Sequence, residues 1–87
     1  MGIFRSLKRL MTGEIEQRID TPLSESWTTM SLRLKRDRGS GELYVTMAAL
    51  SSGNHQYFVF ARDEFEQFAY AVETIGTSLR EGSKAKN

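Results

Sequence analysis

Two changes of hydrophobic period constrain the fold of this chain more than anything else in it. In "WTTMSLRLKRD", Met30, Leu32 and Leu34 alternate with Thr29, Ser31, Arg33 and Lys35, which is the period of a half-buried strand. "ELYVTMAAL" repeats the pattern with Leu43, Val45 and Met47, and "QYFVFA" supplies a third run with aromatic residues on both faces. Glycine-containing turns, "DRGSG" and "SSGNH", separate the runs. The period then switches to that of a helix. In "RDEFEQFAYAVETIGTSL", Phe65, Phe68, Ala69, Val72, Ile75 and Leu79 form one stripe at spacings of three and four. Asp63 is placed to cap this helix, with Glu66 closing the box three residues later.

Upstream the signal is weaker. Ile15 and Ile19 fit a helix face and a strand face equally, and an edge strand over about 13–20 is favoured, with Pro22 ending it or lying in a connector. Residues 1–12 predict a short basic amphipathic helix, with Ile3, Phe4, Leu7, Leu10 and Met11 on one side and Arg5, Lys8 and Arg9 elsewhere. Residues 81–87 lose apolar character and are expected to form a mobile tail. The expected class is therefore α+β. A curved antiparallel sheet of three to four meander strands carries a C-terminal amphipathic helix on one face, all within a single domain over residues 13–80.

A chain of 87 residues buries a small core, so self-association is the expected additional support. With no cysteine and one histidine, His55, thiolate metal sites, disulfides and a Ser-His-Asp triad have little to work with. No catalytic residue, metal or cofactor is expected, nor a small-molecule substrate. Asp63 and Glu66 fit helix capping better than an acid–base pair. No apolar run approaches the ~20 residues of a membrane span, and an intracellular location, cytoplasmic or nuclear, is expected.

The formal net charge is only +1, yet the charges are segregated. The basic run at residues 33–38 falls where a hairpin does not require it. If the helix covers one sheet face, the other displays Thr29, Ser31, Arg33, Lys35, Tyr44, Thr46 and Tyr57. Cations among rings suit a single-stranded nucleic acid, where phosphates take the charge and bases stack. The candidate contacts are Trp27, Arg33, Lys35, Arg36, Arg38, Tyr44 and Tyr57. The bland alternative is a solvated face with a solubilising turn. A second alternative is a protein-interaction or membrane-peripheral adaptor acting through residues 1–11. There, Gly2 and Ser6 match an acylation pattern, and the basic residues could bind anionic lipid.

"TTMSLRLKRDRGSGELYVTM" resembles the start of a PUR repeat, the single-stranded DNA- and RNA-binding unit of purine-rich-element-binding proteins. "HQYFVFARDEFEQFAYAVETI" is similar to that family's last strand and helix, with an acid-Phe-x-x-Phe start. The resemblance spans about residues 13–80 and implies four strands, one helix, homodimerisation and single-stranded nucleic-acid binding. The wider superfamily includes the Whirly proteins. Lys35 stands where the family has its lysine. Asp37 replaces an asparagine, and Gly41 matches the family glycine after a one-residue insertion. Glu42 replaces a basic residue and Leu43 an aromatic one.

Overall fold

The computed structural model describes Arg9 and residues 11–85, with side chains through residue 82. Strands β1 (Glu14–Leu23), β2 (Thr28–Arg36), β3 (Leu43–Ser51) and β4 (Asn54–Phe60) form one antiparallel sheet in sequence order, and helix α1 (Arg62–Ala85) follows. The α+β meander predicted from the periodicities is present, with four strands. Of the basic helix expected over residues 1–12, only Arg9, Met11 and Thr12 are described, and the helix as a whole lies outside the described residues.

Strand β1 is longer than expected because it continues through Pro22, which pairs with Thr29. An edge strand tolerates proline, since the missing N–H can point away from the ladder. The register slips between Ile15 and Gln17, so a bulge places Glu16 beside Arg36.

The β2–β3 turn is organised by Asp37. Its Oδ1 accepts from the N–H groups of Gly39 and Ser40 at 2.8 and 3.1 Å, and its carbonyl accepts from Gly41 N–H at 2.8 Å. Gly41 takes the left-handed φ of 76° that the turn demands.

The helix begins differently from the predicted capping box. Ala61 has no side-chain acceptor, and Glu64, not Glu66, reaches back to its N–H at 2.9 Å. Glu66 instead lies 3.8 Å from Arg62. At the other end α1 runs to Ala85, past the expected start of the tail at residue 81. Arg80, Glu81, Lys84 and Ala85 have good helix propensity and carry it beyond the end of the apolar stripe.

The helix engages the apolar face only through its first turns. Phe60 packs against Phe65 and Phe68 at ring separations of 5.6 and 5.2 Å. Beyond them the stripe has no cover: Val72, Ile75 and Leu79 are 55, 68 and 75% exposed. The sheet face beneath also retains half-exposed Ile19 and Phe58. The deepest burial lies on the opposite, polar face, at Ser31, Tyr44, Thr46 and Ala48. The strand phase is as the alternation predicts, but the face expected to stand open is the buried one.

Candidate nucleic-acid interface

The register assembles the polar face from all four strands. Arg18 and Asp20 of β1 pair with Arg33 and Ser31 of β2, which pair in turn with Thr46 and Ala48 of β3. Lys35 pairs with Tyr44, and Tyr57 of β4 with Ala48. Strand alternation therefore puts Arg18, Arg33, Lys35, Tyr44 and Tyr57 on one side of the sheet.

Lys35 and Tyr44, expected as open contacts, are 6 and 1% exposed. Arg9 accounts for part of this. The Arg9 carbonyl accepts from Lys35 Nζ at 2.9 Å and from Tyr44 Oη at 2.9 Å. The Arg9 guanidinium lies 4.6 Å from the centre of the Tyr44 ring and bonds Glu42 Oε1 at 2.8 Å through Nη2, with Asp37 Oδ2 3.7 Å from Nε. Burial, reinforced by the neighbouring Arg33 charge, pulls the Lys35 ammonium below its ordinary pKa. Burial pushes the Tyr44 phenol up; the Arg9 charge works against that shift and Asp37 adds to it.

Arg36 is also engaged. Its Nε donates to Glu16 Oε2 at 2.6 Å and its Nη1 to the Gly41 carbonyl at 2.8 Å. The bond from Arg36 holds the Glu16 carboxyl below its usual range. The guanidinium thus ties the bulge of β1 to the β2–β3 turn.

Arg33 and Arg38 have no ion pair among the described residues. Arg33 Nε donates to Ser31 Oγ at 2.7 Å, Ser31 Oγ donates to Asp20 Oδ1 at 2.6 Å, and Arg18 Nε donates to the same oxygen at 3.1 Å. The Ser31 bond, followed by the Arg18 bond, holds Asp20 below the ordinary carboxylate pKa. A single carboxylate is thus linked to one guanidinium directly and to the other through Ser31.

The two outlying rings are accessible and stand on different elements. Trp27 is 84% exposed in the β1–β2 turn, with a left-handed φ of 54°, while Arg38 lies in the turn at the other end of β2. Tyr57 is 48% exposed on the β4 edge and meets His55 edge-on at 6.4 Å.

The seven expected contacts therefore do not form one site. Arg33 is half-buried with no ion pair among the described residues, Arg38, Trp27 and Tyr57 stand in solvent, Arg36 is paired, and Lys35 and Tyr44 lie under Arg9. Sequence reasoning missed Arg18 and Asp20, whose alternation in "EQRID" matches the polar face only once β1 is taken as a full-length partner of β2. No protein-family model, characterised protein or solved structure matches this chain.

Proposed function

We propose that the protein is a homodimeric module that binds single-stranded nucleic acid along the β1–β2 side of its polar sheet face. The pairing of Arg18 with Arg33 carries this reading. Like charges at directly opposed cross-strand positions repel, and among the described residues Asp20 is the carboxylate bonded within this cluster. A phosphate beside Arg33 would supply the missing anion through charge-assisted, bidentate bonds. Arg38 extends the cationic side around the turn, and Trp27 and Tyr57 offer exposed rings for stacking. The PUR resemblance supplies the ligand class.

Dimerisation is supported by the uncovered apolar surface. A compact chain of this mass exposes about 5,200 Å², whereas the accessible surface here is 6798 Å². The radius of gyration is 15.5 Å, against about 12 Å for a compact domain of this length. A second copy laid over the stripe of α1 and the open apolar sheet face would bury the surplus surface.

The same stripe favours a second reading, an interaction module for a different protein. Titration with a fluorescent single-stranded oligonucleotide at two salt concentrations, combined with light scattering, separates the two. Nucleic-acid binding requires affinity that falls steeply with salt. Absence of binding even at low salt leaves the interaction module. The adaptor acting through residues 1–11 lies largely outside the described residues. Among those described, no helix is long and apolar enough to cross a membrane.

A further inference from the structure

The sheet has two edges, and only one of them is guarded. An edge strand presents a row of unpaired N–H and C=O groups, and natural sheets protect such rows with charge, proline and bulges. β1 carries all three: Glu14, Glu16, Arg18 and Asp20, then Pro22, and the register slip between Ile15 and Gln17. β4 carries none of them. Its sequence, "NHQYFVF", has no acid, lysine, arginine or proline, and Asn54 to Phe58 are exposed. It pairs with β3 without a register slip, and among the described residues no strand lies on its other side.

The hairpin decides which groups stand open. Ser51 and Asn54 are partners across the two-residue turn of Ser52 and Gly53, which makes them the closing hydrogen-bonded pair. Alternation then turns the backbone groups of Asn54, Gln56, Phe58 and Phe60 towards β3. Those of His55, Tyr57 and Val59 point outwards.

We propose that β4 pairs with β4 of a second copy, antiparallel about Phe58, so that two four-stranded sheets become one of eight strands. This rests on the homodimer reading above and names the joint of that dimer.

The pairing is self-complementary. Tyr57 exchanges backbone bonds with the partner's Val59, Val59 with the partner's Tyr57, and Phe58 meets its counterpart at the two-fold axis. Aromatic–aromatic and aromatic–β-branched neighbours are favourable cross-strand pairs. Tyr57 and Phe58 are 48 and 43% exposed, so both have surface to bury. The chain exposes 6798 Å², about 1,600 Å² more than a compact chain of its mass, and a standard interface takes about 800 Å² from each partner. An axis perpendicular to the sheet also sets both copies of α1, with their uncovered stripes, on one side. Such a contact closes at two chains, and the guarded β1 edges at the far ends oppose further growth.

Amide exchange of the wild-type chain, followed by NMR across a dilution series, tests the joint. The outward N–H groups of Tyr57 and Val59 should be protected where light scattering shows a dimer and should lose that protection on dilution. With nine chains in ten paired, exchange from the remaining monomer predicts roughly tenfold slowing. The absence of cysteine allows a second measurement. Phe58→Cys should oxidise readily to a covalent dimer, because directly opposed residues of this kind lie about 4.5 Å apart at Cα, within disulfide reach. Asn54→Cys, on the same face of the same strand, should not, since eight extended residues put it roughly 27 Å from its counterpart. A dimer whose Tyr57 and Val59 amides exchange freely overturns the joint and leaves the homodimer reading standing. A chain that stays monomeric overturns both. Protection that is equal at every dilution places a cover within one chain and overturns the joint. Protected amides with faster cross-linking of Asn54→Cys than of Phe58→Cys overturn the register about Phe58. Should Phe58→Cys fail to fold by circular dichroism, the wild-type exchange still decides whether the edge is joined.

Discussion

The rings of Phe60 and Phe68 lie 5.2 Å apart at 34°, and with Phe65 they form the junction that fixes the helix to the sheet. Phe68 is nonetheless 37% exposed, so its truncation should cost less than the ~3–5 kcal/mol typical of a fully buried phenylalanine. Phe68→Ala is expected to destabilise by about 2 kcal/mol in urea melts. Tyr70, 74% exposed on another side of the helix, should lose under about 0.5 kcal/mol on conversion to Ala. Equal losses would mean that Tyr70 is buried in solution, against a second copy.

The outer stripe of α1 gives the prediction for assembly. Val72, Ile75 and Leu79 are spaced at three and four residues and remain exposed in the single chain. Light scattering at micromolar concentration should give a mass near twice 9.9 kDa. Ile75→Asp should shift it towards one chain, because a carboxylate cannot be buried unpaired in an apolar contact. Tyr44 and Ala48, on the far face, are untouched by this change, so a monomer that stays folded is the expected product. A wild-type monomer with a cooperative melt would contradict the dimer.

The periodicities made the meander and helix legible because each residue's face follows from local geometry. Strand alternation put Arg33, Lys35 and Tyr44 together, and the register agrees. What they could not convey was which face would be covered. The apolar stripe suggested that the helix closes the apolar face. Phe65 and Phe68 do touch Phe60, but the 24-residue helix leaves Val72, Ile75 and Leu79 without cover in the chain. The contact of Arg9 with Lys35 and Tyr44 spans 26 and 35 residues, and no spacing rule links such positions. The pairing of Arg18 with Arg33 was hidden by a single bulged residue and by a proline that β1 tolerates at the sheet edge.

Asp20 provides a pH-dependent check on the network that organises Arg18 and Arg33. Its carboxyl titrates below the ordinary value of 3.8 because the charged form accepts from Ser31 and Arg18. A carboxyl whose folded pKa is depressed adds stability above the unfolded value. That contribution is lost as pH falls from about 3.8 through the folded pKa. Asp20→Asn should therefore remove part of the acid limb of the melting-temperature profile, with little further effect near neutral pH beyond a constant offset. NMR titration of the Asp20 carboxyl should report the lowered pKa directly. A midpoint at or above 3.8 would mean that the Ser31 and Arg18 bonds are not kept in solution.

The two guanidinium groups linked to Asp20 should behave differently from the rings in binding. Arg33→Ala and Arg18→Ala each remove one counterion-releasing contact. Each should weaken oligonucleotide binding across all sequences and reduce the slope of log K against log salt by about 0.7, the single-strand value per phosphate. Arg33 should have the larger effect on affinity, since it has no ion pair among the described residues while Arg18 is already held by Asp20 at 3.1 Å. Trp27→Ala and Tyr57→Ala should leave the slope nearly unchanged and cost ~1–3 kcal/mol only where the ring stacks on a base. Because Trp27 and Arg38 sit at opposite ends of β2, a strand that engages both must run along that strand. Nine extended residues span roughly 30 Å. Oligonucleotides too short to cover that length should then show no loss with Trp27→Ala, while longer ones should. If Trp27→Ala weakens short and long strands alike, the bound strand crosses β2 near the Trp27 turn instead of following it to Arg38.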